Sequence, residues 1–119
     1  MLRCAWGIVA LIWLVGAAHA EEQRKGTVND LIGLAGTDEH WKSLVIGAGR
    51  ALEGANIELQ RQNRPRLYCQ PNNLAITGDQ YLRIMSSYVD KNPKSGTMDM
   101  NLFGFVLLQA TMDAFPCKE

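Results

Sequence analysis

Apolar residues recur at helical spacing in several segments of the chain, with short polar or proline-containing stretches between them. The clearest stripe follows Thr77. It comprises Tyr81, Ile84, Met85, Tyr88 and Val89, which lie at offsets 0, 3, 4, 7 and 8 from Tyr81. This spacing places the side chains on one face of an α-helix. A capping box from Thr77 to Gln80 predicts the start of this helix, and Pro93 predicts its end at Asn92 because proline disfavours helical geometry in the preceding residue.

Two further helices are predicted before it. Thr27 and Asp30 have capping-box spacing, and Gly36 ends the helix that they begin. Thr37 is predicted to cap a longer second helix, whose apolar stripe extends over about five turns. That stripe comprises Trp41, Leu44, Val45, Ala48, Leu52, Ala55 and Leu59. Gly47, Gly49 and Gly54 interrupt it, and we expect them to allow close approach of another helix, within the monomer or in a homodimer.

The remaining segments complete an all-α prediction. Residues 61–73 lack periodicity and are predicted to form a loop, and residues 94–97 are predicted to form a turn. Residues 99–114 are so apolar that we expect a fourth helix, buried on most sides and central to the packing. No alternating strand pattern or internal repeat is evident in the sequence. The predicted fold is a compact bundle of about four helices.

The first 20 residues have the pattern of a cleaved secretory signal, which leaves residues 21–119 as one helical domain. Arg3 precedes an apolar run, and residues 18–20 read Ala-His-Ala, the small-x-small form of a signal-peptidase site. The run is too short for a membrane span, so no stable membrane insertion is expected after cleavage. Removing Arg3 leaves 11 basic and 12 acidic residues, a net charge of −1. This balance disfavours binding to nucleic acid.

Export to the periplasm would determine the state of the cysteines. Cys4 lies in the signal, and Cys69 and Cys117 remain after cleavage. Periplasmic thiols are oxidised, so these two cysteines are predicted to form a disulfide. Closing a loop of about 49 residues stabilises a fold by roughly 4 kcal/mol if the effect is chain entropy.

No pattern in the sequence predicts catalysis, a cofactor or a metal. The Gly-x-Gly at 47–49 lies within a helical stripe and lacks the third glycine of a dinucleotide-binding turn. His40 is the one histidine outside the signal, whereas a structural zinc site needs four ligands. Glu53 with Asn56 or Glu58 is interpreted as a solvated helix face rather than an acid–base pair.

The loop before Cys69 contains the candidate surface for a partner. Arg64, Arg66 and Tyr68 lie close together there, and arginine and tyrosine are enriched among the residues that anchor protein interfaces. We therefore predict that these three residues contact a protein partner.

The second half of the chain resembles the Rap and Tai immunity proteins, which protect bacteria against peptidoglycan amidases delivered by type VI secretion. Cys69-Gln70-Pro71 is similar to the family's Cys-x-Pro, and residues 76–81 are similar to its aliphatic-Thr-x-x-Gln helix start. Residues 88–89 with 92–93 match its tyrosine and proline before the turn, and residues 114–118 match its closing segment. The resemblance covers residues 69–117. This chain lacks the additional cysteines that family members often carry in the first two helices.

This resemblance implies a non-enzymatic periplasmic protein that binds and inhibits a cell-wall amidase. The alternative is a periplasmic stress or assembly factor with the same helical fold and no toxin partner. A small hydrolase is disfavoured because the sequence displays no catalytic constellation.

Overall fold

A computed structural model describes residues 26–118, and the predicted signal at residues 1–20 lies outside this range. Five helices follow one another in the described chain: α1 (Val28–Ala35), α2 (Glu39–Arg61), α3 (Gly78–Lys91), the single turn α4 (Pro93–Gly96) and α5 (Phe103–Ala114). A 3-10 turn, Met100–Leu102, precedes α5. Residues 26–118 contain no strand beyond one isolated antiparallel bridge between Thr27 and Asp99. The all-α prediction is confirmed.

Side-chain caps start α1, α2 and α3, and for α1 and α3 the cap is the residue that the sequence predicts. Thr27 and Thr77 each accept a hydrogen bond from the backbone N–H three residues on, and the side chains of Asp30 and Gln80 bond back to the cap backbone. These two capping boxes confirm the predicted starts of α1 and α3. The start of α2 was wrong by one residue, because Asp38 is its cap and accepts from the His40 N–H at 2.8 Å.

The core lies between α1, α2, α3 and α5, which pack against one another. Its fully or almost fully buried side chains come from all four helices and from the loop before α3. They are Val28, Leu31, Ala35, Val45, Ile76, Tyr81, Met85, Val89, Val106 and Leu107. Burying an aliphatic or aromatic side chain of this kind is worth about 1.5–3 kcal/mol, so this set is the main stabilising element of the fold.

The C-terminal third departs from the prediction in two places. Residues 93–96 form a helical turn instead of an irregular one, with Pro93 in its first turn. The apolar segment after Asp99 divides into the 3-10 turn and α5, and α5 is not buried on most sides. Leu102, Phe105 and Met112 are exposed, with Phe105 at 52%. The face of α5 with Val106, Leu107 and Ala110 packs into the core, and the opposite face is exposed to solvent.

The three glycines of α2 differ in their surroundings. A methyl group on Gly49 would overlap the ring of Tyr81, whereas one on Gly47 or Gly54 would have no neighbour within 4 Å. Gly49 therefore allows α3 to approach α2 closely inside the monomer, which was one of the two roles predicted for these glycines. Nothing in the described chain packs against the other two. None of the described helices is long and apolar enough to cross a membrane.

Candidate binding cleft

A cleft of about 220 Å³ lies between the second half of α2 and the loop that follows it. We call it the α2 cleft. Its lining is polar and apolar in about equal parts, and the exposed side chain of Ile57 is the main apolar contribution from the helix. The lining residues are Glu53, Asn56, Ile57, Gln60, Arg66, Tyr68, Gln70, Pro71 and Asn72. Two of the three predicted partner contacts, Arg66 and Tyr68, are thus brought together here.

Asn56 fixes the loop against the helix. Its side-chain N–H donates to the Tyr68 carbonyl at 3.0 Å, and its Oδ1 accepts from the Leu67 N–H at 2.7 Å. The amide is almost fully buried, so both of its polar ends are satisfied by loop backbone. The sequence interpretation of Asn56 as part of a solvated face was wrong. A signal was present, since Asn56 lies 11 residues after Val45, within the apolar stripe of the helix.

The disulfide fixes the other end of the same wall. Cys69 and Cys117 are bonded, with their Cα atoms 4.8 Å apart, as predicted. The Cys69 N–H also donates to the Phe115 carbonyl at 2.8 Å. Further along, the Gln70 side chain donates to the Leu74 carbonyl, and the Leu74 N–H donates to the Pro71 carbonyl at 3.0 Å. The wall is consequently tied to α2 at one end and to the chain after α5 at the other.

Glu53, which lines the cleft, bonds to one cationic and one phenolic side chain. Its two carboxylate oxygens accept from the Arg50 guanidinium at 2.9 and 3.0 Å, and the Tyr81 hydroxyl donates to one of them. Arg50 also donates to the Ile76 carbonyl at 3.0 Å, which ties α2 to the start of α3. Burial, and next the bond to Glu53, raise the pKa of Tyr81. The negative charge of Glu53 is therefore compensated within the fold.

Glu58 behaves as the sequence predicts for a solvated helix face. It accepts two hydrogen bonds from Arg61, at 2.7 and 2.8 Å, and one from Gln62. The bond from Arg61 is the main reason that the pKa of Glu58 lies below its usual value. Glu53, at 25% side-chain exposure, is only partly solvated, so the shared interpretation of the two residues was wrong for Glu53.

Tyr68 is almost completely buried. The residue is 1% exposed, and its hydroxyl is buried without a hydrogen-bond partner among the described residues. Burial, and to a smaller extent the charge of Glu53, raise the pKa of Tyr68 to about 12. Tyr68 therefore offers a partner almost no surface in this structure, and its contact with a partner stays a prediction. Tyr68 lines the cleft, and the backbone on either side of it is held by Asn56 and by the disulfide.

The two arginines of the loop occupy different places. Arg66 is partly buried and lines the α2 cleft. Arg64 is exposed and does not line it, and its backbone N–H donates to the Leu59 carbonyl at 2.8 Å, which caps the end of α2. Their contact with a partner stays a prediction. The structure supplies one cleft arginine and one free surface arginine two residues away.

Within residues 26–118, no group of three or more His, Cys, Asp or Glu side chains is placed to hold a metal ion. His40 is exposed and contacts Trp41 edge-on, with the ring centroids 5.9 Å apart. The Gly-x-Gly at 47–49 lies inside α2, in agreement with the sequence interpretation. The side chains that line the α2 cleft supply hydrogen-bond donors and acceptors and the guanidinium group of Arg66.

Comparison of this chain with models of known protein families, with curated proteins and with solved structures finds no match.

Proposed function

We propose that this chain is a periplasmic immunity protein that binds and inhibits a peptidoglycan amidase delivered by type VI secretion. The sequence motifs that resemble the Rap and Tai proteins support this proposal. In the structure, residues of these motifs have structural roles: Cys69 forms the disulfide, Thr77 caps α3, and Pro93 is the first residue of α4. The resembling residues are thus ones that build and hold the fold.

The observation that carries the proposal is the disulfide between Cys69 and Cys117. Such bonds persist in oxidising compartments such as the bacterial periplasm and are rare in the cytosol. The bond ties the arginine-bearing loop to the end of the chain. It therefore supports both the exported location and the loop as a prepared surface.

Inhibition by simple binding requires a surface that is ordered before the partner arrives. Ordering a loop at an interface costs about 0.5–1.5 kcal/mol for each immobilised side chain, and a preorganised loop avoids part of that cost. Asn56 and the disulfide hold the cleft wall in the free protein. This arrangement supports a role in tight association with another protein.

The test is protection combined with direct inhibition. Genes beside this one are first searched for an amidase; the full chain is then expressed in a strain that is sensitive to that amidase, and cell survival is measured during attack. In parallel, the purified oxidised chain is titrated against that amidase with peptidoglycan as substrate. We expect survival to rise and amidase activity to fall to near zero at a stoichiometric ratio.

A chain that lacks residues 1–20 is the matched control, because it has the same described fold and is expected to stay in the cytoplasm. It should inhibit the amidase in vitro after oxidation and give no protection in cells. A stable, exported full chain that neither protects cells nor inhibits the neighbouring amidase would contradict the proposal. Absence of any effector gene nearby would favour the alternative, a periplasmic stress or assembly factor.

A further inference from the structure

The loop after α2 has an excess of positive charge. Residues 60–77 contain Arg61, Arg64 and Arg66 and no acidic residue. Arg61 is paired with Glu58, whereas Arg64 and Arg66 form no ion pair with the described residues. Two uncompensated guanidinium groups therefore lie on a loop of a chain whose overall charge is close to zero.

Arg66 is the only one of these arginines that lines the α2 cleft. The other charged group of the cleft, Glu53, is neutralised by the two bonds from Arg50. The charge left uncompensated in the cleft is consequently positive. The amide side chains of Gln60 and Asn72 lie in the same lining and make no hydrogen bond within residues 26–118, so they are available as further donors.

The size of the cleft limits its ligand. Pockets for drug-sized ligands occupy about 300–1,000 Å³. The α2 cleft, at about 220 Å³, is smaller and matches a single side chain. A guanidinium group pairs most strongly with a carboxylate, because two parallel N–H groups meet two oxygens.

We propose that the α2 cleft binds the carboxylate of an aspartate or glutamate side chain on the protein partner. Arg66 pairs with the carboxylate, the amides of Gln60 and Asn72 donate to it, and Arg64 increases the attraction from outside the cleft. The identity of the partner rests on the proposed function, while the chemistry of recognition rests on the cleft alone. Tyr68 holds the shape of the cleft, since its hydroxyl is closed off from the cleft surface.

The test uses a blocked pentapeptide with one glutamate at its centre and the same peptide with glutamine in that place. Each is titrated into the oxidised chain, and NMR follows the Arg66 side-chain N–H and the backbone N–H groups of residues 67–70 and 72. We expect saturable shifts with the glutamate peptide, with Kd on the order of millimolar for so small a ligand. The glutamine peptide should bind at least about tenfold more weakly, as for loss of a charge-assisted bond.

Three variants separate the contributions. Arg66→Gln should weaken binding of the glutamate peptide about tenfold, Arg64→Gln by no more than about threefold, and Tyr68→Phe should leave it unchanged. Arg66 makes no side-chain bond within the described chain, so Arg66→Gln should keep the thermal midpoint of the wild type. Equal binding of the two peptides, or full binding by Arg66→Gln, would overturn the inference.

The result is independent of the effector. If the chain inhibits the neighbouring amidase and the glutamate peptide does not bind, the cleft inference fails and the proposed function stands. If the peptide binds in the cleft and no amidase is inhibited, the proposed function fails and the carboxylate site stands.

Discussion

Replacing Asn56 by alanine should destabilise the fold more than any other single change of a polar residue in the cleft. The side chain forms two hydrogen bonds to loop backbone, at 3.0 and 2.7 Å, from an almost fully buried position. A buried hydrogen bond contributes about 0.5–1.5 kcal/mol net, and a partner left unpaired costs about 1–3 kcal/mol. Leu67 is partly exposed, so water will compensate its N–H in part. We expect a loss of about 2–3 kcal/mol in the free energy of unfolding.

The measurement is urea unfolding of the oxidised protein, followed by far-ultraviolet circular dichroism. With a urea dependence of about 1–3 kcal/mol per molar, this loss lowers the midpoint by about 0.7–3 M. Gln60→Ala is the matched control, because Gln60 lies one turn further along α2, is exposed and forms no side-chain hydrogen bond within the described chain. It should change the free energy of unfolding by less than about 0.5 kcal/mol. If Asn56→Ala matched Gln60→Ala, the role assigned to the two backbone bonds would be refuted.

Hydrogen exchange gives a second readout of the same substitution. The Leu67 amide donates to Asn56 and should lose its protection in Asn56→Ala, even where the disulfide keeps the rest of the loop in place. An unchanged exchange rate at Leu67 would show that the loop is held by other contacts.

Other predictions concern packing, the buried phenol and the disulfide. Gly49→Ala should destabilise by about 1–3 kcal/mol because its methyl group meets the Tyr81 ring, whereas Gly54→Ala, which faces open space, should stabilise by about 0.5–1 kcal/mol; equal thermal midpoints for the two variants would contradict this. Tyr68→Phe removes a buried, unpaired hydroxyl and should leave stability unchanged or raise it by about 1 kcal/mol, and a loss above that value in urea unfolding would be inconsistent with the structure. Because the pKa of Tyr68 is about 12 in the fold, above its usual value of 10.0, its contribution is complete below pH 10 and is lost as pH rises through 12. Wild-type stability should therefore fall more steeply over that interval than that of Tyr68→Phe, as measured by unfolding at a series of pH values. Replacing both disulfide cysteines by serine should cost roughly 4 kcal/mol on the chain-entropy account, and a change below about 1 kcal/mol would argue against a tie of that value.

The starts of α1 and α3 are determined locally, and the sequence alone was enough to predict them. Thr27 and Thr77 satisfy the free N–H groups of a starting helix with residues three positions away, so a short stretch of sequence contains the whole interaction. The disulfide was also predictable, because two cysteines outside the predicted signal permit a single pairing. The start of α2 was missed by one residue because Thr37 and Asp38 are both good caps, and neighbouring contacts decide between them.

The cleft depends on residues that are distant in sequence, and only the tertiary structure decided its form. Glu53 looks like a surface carboxylate in the sequence, yet Tyr81, 28 residues away, donates to it across the helix interface. Asn56 and Tyr68 are 12 residues apart, and the sequence predicted both at the surface. In the structure both are buried, and the Asn56 side chain donates a hydrogen bond to the Tyr68 carbonyl. The exposure of one face of α5 was likewise undetermined by its composition. Hydrophobic periodicity and capping residues reflect interactions within one helix, so they can be recognised in a short stretch of sequence. Burial and charge compensation depend on which helices and loops contact each other, and the packing of the whole fold determines those contacts.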